Sequence, residues 1–230
     1  MNILITAGHT IEQIDCVRHI ANFSTGKLAA SIAEECLNFA QLHYICNRGA
    51  VEPYGGNISY ITSVESCIKA ILEVLQSRQI DAIVHSMAVS DYTVASAADM
   101  AKVEKELEQH SLRHAICSAS FDKDAKISSR AEELLLHLVS APKIIGMLRE
   151  YAPNAKIFGF KLLADRPHNE LIDTAYSLLK ENSCDFVLAN DTRDIEGQHH
   201  MGYLVDKSKN YQTFSTKDEI AKGIVAQIVL

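Results

Sequence analysis

The sequence predicts an α/β protein, a mostly parallel sheet with helices on both faces. Three observations predict it. Short apolar runs alternate with helical patterns along most of the 230 residues. One run, DAIVHSMAV at Asp81–Val89, is almost continuously apolar, the mark of a central parallel strand covered on both sides. In the intervening stretches apolar residues recur at the spacing of an amphipathic helix.

The elements follow in order. ILIT (Ile3–Thr6) opens as a strand. A helix is expected from about Thr25 to Ala40, with Leu28, Ile32 and Cys36 inward beside Ala29, Ala33 and Leu37. Strands at Leu42–Cys46 and Ile58–Ile61 come next, then a helix over Val64–Ser77 and the central strand. From Ala95 to Arg130 the chain is polar and only partly helix-prone, so it reads as a mobile insert within one domain spanning 1–230. Order resumes at Glu133–Val139, and Pro142 suits the first turn of a helix running to Tyr151. A strand at Lys156–Leu162, a helix at Asn169–Glu181 and a strand at Asp185–Ala189 complete the alternation. The tail reads as a hairpin, Gly202–Val205 with Tyr211–Phe214, and a helix from Lys217 with Ile220, Ile224 and Ile228 at fours.

Composition bounds the class. A net charge of −7 argues against a general nucleic-acid binder, which needs a basic face. An anionic small molecule remains compatible if cations gather locally. No apolar run approaches the ~20 residues of a membrane span. The start MNILITAGHT lacks the basic and long apolar regions of a secretory leader, so the expected compartment is the cytoplasm. The six cysteines form no CxxC pair and read as reduced thiols. His199–His200 lacks partners at ligand spacing, so no residue is assigned to a metal.

In such a sheet ligands sit beyond the carboxyl ends of the strands. Those ends are the loop after Thr6, the loop after Val84, the segment around Phe160, and Ala189–Asp191. VRHIANFSTGKLA (Val17–Ala29) gathers Arg18, Asn22, Ser24, Thr25, Gly26 and Lys27 ahead of a helix. A helix start offers free N–H groups and a positive dipole end, which hold phosphate or carboxylate. Capping alone accounts for Ser24 or Thr25 but not for the whole group. It is not a P-loop, because Ala21 and Leu28 stand where Gly and Ser or Thr are required. ITAGHT is not GxGxxG either. Asp91 is placed at a strand mouth, as a functional carboxylate or as the cap of a short helix. His85 reads as a hydrogen-bonded core histidine. Lys161, in an apolar strand, either reaches solvent at an edge or meets an anion. Asn190–Asp191 is a turn or a polar lip.

Taken together, ITAGHT with Ile14–Asp15, VRHIANFSTGKLA, AVSDY, KISS, APKII, FGFKL and CDFVLAND resemble, in that order, the phosphopantothenate–cysteine ligases, in their free-standing bacterial form. The resemblance covers nearly the whole chain. It implies a Rossmann-like fold with a small β-hairpin dimerisation extension, and hence a homodimer. It also implies a two-step reaction. The carboxylate of 4′-phosphopantothenate attacks the α-phosphorus of a nucleoside triphosphate, usually CTP, with Mg²⁺ accompanying it and ATP as the alternative. The amine of cysteine then displaces the nucleoside monophosphate.

By the same resemblance, Asn22 would hold the reacting carboxylate region and stabilise the acyl intermediate. Asp91, with Met87 and Ala88, would bind pantothenate. Arg18 would grip the substrate phosphate in the neighbouring subunit. Gly8, Ser24 and Gly26 would lie on the nucleotide, with Phe160 against its base and Pro142, Lys143, Ile144 and Ile145 at base or ribose. Lys126 would meet the triphosphate from a lid, and Lys161 would add charge. The sequence departs from the pattern at His9, where many relatives have Gly, and at Ser128, Leu178 and Asn182, where fused relatives carry lysine. Two rivals stand beside the ligase. An NAD(P)-dependent reductase predicts a glycine-rich first turn that is missing. A non-catalytic nucleotide-binding protein predicts nucleotide binding without turnover.

Overall fold

The structure, a computed structural model, describes residues 1–196 and 199–230. Six parallel strands form its centre: β1 (Asn2–Ala7), β4 (Gln41–Asn47), β5 (Asn57–Ile61), β6 (Ala82–His85), β9 (Lys156–Leu163) and β10 (Phe186–Asp191). Their order across the sheet is β10-β9-β6-β1-β4-β5. β1 takes β4 on one side and β6 on the other, so the winding reverses between β1 and β6. That switch point leaves a crevice at the carboxyl ends. Beyond β10 the sheet continues antiparallel through β11 (Ile195–Glu196), β12 (His199–Asp206) and β13 (Tyr211–Thr216). Two separate two-stranded antiparallel sheets join β2 (Ile11–Gln13) to β3 (His19–Ala21) and β7 (Tyr92–Asp99) to β8 (Leu134–Ser140). The predicted tail hairpin, β12–β13, is therefore part of the main sheet, and the small hairpins lie elsewhere.

Alternation along each strand divides the core in two. Leu4, Ile45, Ile83, Ile157 and Val187 face α2 (Val64–Ser77), α5 (Ile144–Tyr151) and α6 (His168–Glu181). Ile3, Ile5, Tyr44, Val84, Phe158 and Leu188 face α1 (Lys27–Cys36) and α7 (Lys217–Val229). Both faces of β1 are therefore closed, and Ile3, Leu4 and Ile5 are fully buried.

The helix over Val64–Ser77 and the inward Ile220, Ile224 and Ile228 agree with expectation. Four predicted details are corrected. α1 is shorter than Thr25–Ala40, because Gly26 at φ 72 is its N-cap. The long central run forms a strand only at Ala82–His85, because the chain leaves the sheet where the switch point opens. Pro142 precedes α5 rather than sitting in its first turn, and Lys143 is the N-cap. The insert is less irregular than its composition implies. Strand β7 runs to Asp99, and α3 (Met100–Leu107) and α4 (Leu112–Ser118) follow, capped by Asp99 and Ser111. They bury Val103, Ala115 and Ile116 in a small core of their own.

His85 is a core residue, as expected. One nitrogen, Nδ1, lies 2.8 Å from Thr6 Oγ1, and burial pushes its pKa from 6.5 down to about 4. The folded protein thus keeps this ring neutral while an unfolded chain protonates it below its ordinary pKa. Stability from this group is present above about pH 6.5 and is lost as pH falls toward 4. The urea midpoint is accordingly expected to fall between about pH 7 and pH 5, and to fall less in His85→Gln. Equal slopes for the two proteins would contradict this assignment.

Candidate functional site

At the switch point the loops after β1 and β6 lock together. His9 bridges to Ala88 in register, the Ala88 N–H donates to the Gly8 carbonyl at 2.8 Å, and the Thr10 and Ser90 hydroxyls meet at 3.0 Å. Gly8 adopts φ +74, and a Cβ there would fall 2.0 Å from Asn47 Oδ1. The same Asn47 oxygen accepts from the His9 N–H at 3.0 Å. A Cβ on Gly26, at φ +72, would come 3.2 Å from the Gly8 nitrogen. Gly8 thus has no room for a Cβ against the Asn47 and Ala50 side chains, Gly26 is tight against Ala50 and the Gly8 backbone, and the positive φ of both favours glycine. His9 ties the next segment in, since its Nδ1–H donates to the Ser24 carbonyl at 2.9 Å. The unusual residue of ITAGHT is a brace.

This bracing holds the start of α1 at the crevice. Gly26 provides no side-chain cap, and the first turn carries no acid. Instead Lys27 is the first helical residue, although cations are disfavoured at a helix start by about 0.3–1 kcal/mol. Among the described residues, only a long contact from the Lys27 N–H to Thr25 Oγ1, at 3.5 Å, occupies the N–H groups of this first turn, and with a lysine beside them they are suited to an anion. They open on a cleft of about 610 Å³ that Phe23–Ala29 bound on one side and Ser86–Val89 with Asp91 bound on another. Phe160, Lys161 and Leu162 form a third boundary, and Asn190, Thr192, Ile195, His200 and Lys217 close it. The charged groups among the described lining residues are three lysines (Lys27, Lys161, Lys217) and one aspartate, Asp91. Asp91 is itself paired with the Lys143 ammonium. The cleft is cationic in a chain of net charge −7.

The structure brings together Ser24, Gly26, Met87, Ala88, Asp91, Phe160 and Lys161 at this cleft. Lys161 faces it, half-buried, rather than reaching solvent at an edge. Asp91 caps no helix, since strand β7 begins at the next residue. Asn22 sits at the rim and donates from Nδ2 to the Val89 carbonyl at 3.2 Å. Gly8 lies beneath the lining as a support.

Other expected residues are elsewhere. Ile144 is buried in the core, and Ile145 packs on it toward Gly159, because the amphipathic period of α5 turns both inward. Pro142 is exposed and outside the lining, so of Pro142–Ile145 only Lys143 reaches the site, through Asp91. Leu178 packs against the core and Asn182 donates back to the Leu178 carbonyl at 2.8 Å. α6 runs from the carboxyl end of β9 to the start of β10, which places both at the far end of the sheet.

Arg18 and Lys126 are both outside the cleft lining, and Arg18 is tied to Ile127, the residue after Lys126. Asp15, 1% exposed, accepts from Arg18 Nε at 2.9 Å, from the Arg18 N–H at 2.7 Å and from the Ile127 N–H at 3.1 Å. First the Arg18 guanidinium, then these N–H groups, hold its carboxyl well below the usual carboxylate range. Arg18 also donates to the Ile127 carbonyl at 2.7 Å, which fixes the segment next to Lys126.

Sequence reasoning missed Thr192, Ile195, His200 and Lys217 as lining residues. The antiparallel extension folds them back over the crevice, and only Lys217, a second lysine opening a helix, carried a local signal. Among the described residues, the group of His, Cys, Asp or Glu side chains placed to share a metal is Glu106, His110 and His114, on the insert and away from the cleft. No helix among the described residues is long and apolar enough to cross a membrane.

Comparison with known proteins agrees with this architecture. A family model described as the DNA/pantothenate metabolism flavoprotein C-terminal domain matches residues 1–116 and 117–230. The chain is 30% identical over 98% of its length to a protein named coenzyme A biosynthesis bifunctional protein CoaBC from Thermococcus kodakarensis. It is also 30% identical, over 98% of its length, to the protein of that name from Methanocaldococcus jannaschii. It spans 50% of the length of each. A solved structure of a DNA/pantothenate metabolism flavoprotein from Streptococcus pneumoniae superimposes with a TM-score of 0.87 at 34% identity, covering 100% of this chain and 98% of that one. With every residue from 1 to 230 inside that family model and the parallel core built around one crevice, the chain belongs to the DNA/pantothenate metabolism flavoprotein C-terminal domain family.

Proposed function

We propose that this chain is a phosphopantothenate–cysteine ligase acting in coenzyme A biosynthesis through an acyl-nucleotidylate formed from CTP. The observation that carries the reading is the cationic cleft at the switch point, with Asn22 and Asp91 at its rim and Phe160 in its wall. The name of the two archaeal relatives supports the pathway.

The chemistry suits such a cleft. The carboxylate oxygen of 4′-phosphopantothenate attacks the α-phosphorus, and the bond to the bridging oxygen breaks, so pyrophosphate leaves with the electron pair. Negative charge grows on the phosphoryl oxygens and on the leaving group. The N–H groups of α1, Lys27 and Lys161 are preorganised donors for it. The amine of cysteine then attacks the acyl carbon, loses a proton, and nucleoside monophosphate departs. Holding two substrates in line is a large part of the work, so no catalytic histidine is needed. One carboxylate, Asp91, lines the cleft, and Lys143 already neutralises it. Asp91 is thus the one described lining carboxylate that could approach Mg²⁺, and a metal arriving with the nucleotide would supply charge neutralisation.

The active unit in this reading is a homodimer. Phe23, 94% exposed at the cleft rim, and Val17, Tyr92, Leu138 and Val139, all exposed on or beside the two small hairpins, are the apolar surface that supports it. Arg18 would then leave Asp15 to grip the substrate phosphate of the neighbouring subunit, and Lys126 would close over the triphosphate.

Incubation with phosphopantothenate, cysteine, Mg²⁺ and either CTP or ATP is expected to release pyrophosphate and the monophosphate, faster with CTP. No pyrophosphate with either nucleotide would refute the ligase. Arg18→Ala is expected to weaken phosphopantothenate binding far more than triphosphate binding in titrations, and equal losses would remove the cross-subunit role. Asn22→Asp is expected to bind both substrates but to slow amide formation by about 100-fold, the worth of one well-placed donor. An unchanged product yield would show that Asn22 does not touch the reacting centre.

A further inference from the structure

One wall of the cleft has no task in the reaction as described. It is formed by Asn190 at the end of β10, His200 on β12 and Lys217 at the start of α7. His200 is 7% exposed, and its Nε2 lies 2.6 Å from Asn190 Nδ2. An amide nitrogen only donates, so Nε2 accepts and the ring proton is on Nδ1. That Nδ1 is buried and has no hydrogen-bond partner among the described residues. Unpaired buried donors are rare in native proteins. This one belongs to a residue that lines the cleft. Burial first, then the charges of Lys217 and His199, push the His200 pKa down to about 4. At neutral pH it is an uncharged N–H donor.

A second observation comes from the helices. α1 and α7 pack side by side on one face of the sheet, with Ala29, Ile32, Ala33 and Cys36 in the same core as Ile220, Ala221, Ile224 and Ile228. Both begin at the cleft, since Lys27 and Lys217 are their first residues and both line it. Two helix starts therefore border one cavity, each with a lysine, and that of α7 is capped by the Thr216 hydroxyl, which accepts from the Glu219 N–H at 3.2 Å. The acids of the first turn of α7, Asp218 and Glu219, are outside the lining, and Glu219 is turned back to accept from the Ser215 N–H at 2.7 Å. One phosphate needs only one such end.

We infer that His200, held by Asn190, and Lys217 form a second anion subsite, which takes the outer phosphates of a nucleoside triphosphate while the start of α1 takes the other end of the phosphate chain. The subsite makes the cleft selective for a triphosphate over a monophosphate. It also receives the charge on pyrophosphate as that group departs. The choice of a nucleotide as the carrier of the phosphates rests on the ligase reading, whereas the subsite itself requires only a polyphosphate.

Calorimetric titration of the full chain with CTP, CMP and inorganic tripolyphosphate tests this. His200→Ala and Lys217→Ala are each expected to weaken CTP and tripolyphosphate about tenfold and to leave CMP within about twofold. Lys217 is only half-buried, so Lys217→Ala keeps the test valid if His200→Ala fails to fold. Equal losses for CMP and CTP, or no loss for CTP, would overturn the subsite, as would a parent protein that binds no polyphosphate. The ligase reading fails separately. If the parent makes no amide but binds tripolyphosphate in a Lys217-dependent way, the subsite stands alone. If product forms and Lys217→Ala and His200→Ala leave CTP affinity unchanged, only the ligase stands.

Discussion

The structure depends on the close approach of Gly8 and Gly26. A Cβ on Gly8 would strike Asn47 and Ala50, one on Gly26 would crowd Ala50 and the Gly8 backbone, and Asn47 and His9 lock the contact with hydrogen bonds. The parallel core sets where β1 ends, and the glycine contact transfers that position to the first turn of α1. A helix start placed this way is an anion site without flexible side chains. Its donors are backbone groups fixed by a buried sheet, so little ordering entropy is lost when a ligand binds.

Charge distribution follows the same logic. The chain as a whole is acidic, with a net charge of −7. Three of its lysines gather in one recess, where lower dielectric strengthens each interaction. Asp91 and Lys143 neutralise one another at the rim, which leaves Lys27, Lys161 and Lys217 in excess. The charge balance of the described lining thus suits a ligand of several negative charges, and it offers a hard cation one carboxylate, Asp91, already paired.

Much of this was legible in the sequence, for identifiable reasons. Fully covered strands must be apolar throughout, so β1 and β6 stand out, and α2 and α7 repeat their apolar residues at helical spacing. The cluster before α1 was legible because capping needs only one of its polar residues. The rest was set by tertiary contacts that no local pattern records. Ile144 and Ile145 belong to a motif of the family, yet the packing of α5 turns both into the core. His200 and Lys217 reach the cleft only because an antiparallel extension doubles back beside β10. The insert looked structureless because its core is small, just a few residues from α3, α4 and β7.

The carboxylate of Asp15 couples two parts of the molecule that are 112 residues apart in the chain. It is buried and bonded at once to Arg18 and to the backbone of Ile127, beside Lys126. Swinging the arginine away strands a negative charge in a place water does not reach, unless the neighbouring segment shifts with it. Arg18 and the Ile127 backbone therefore form a latch with one shared pin. Release of the arginine therefore also loosens the Ile127 backbone, so any ligand that draws Arg18 away frees the segment beside Lys126 in the same movement.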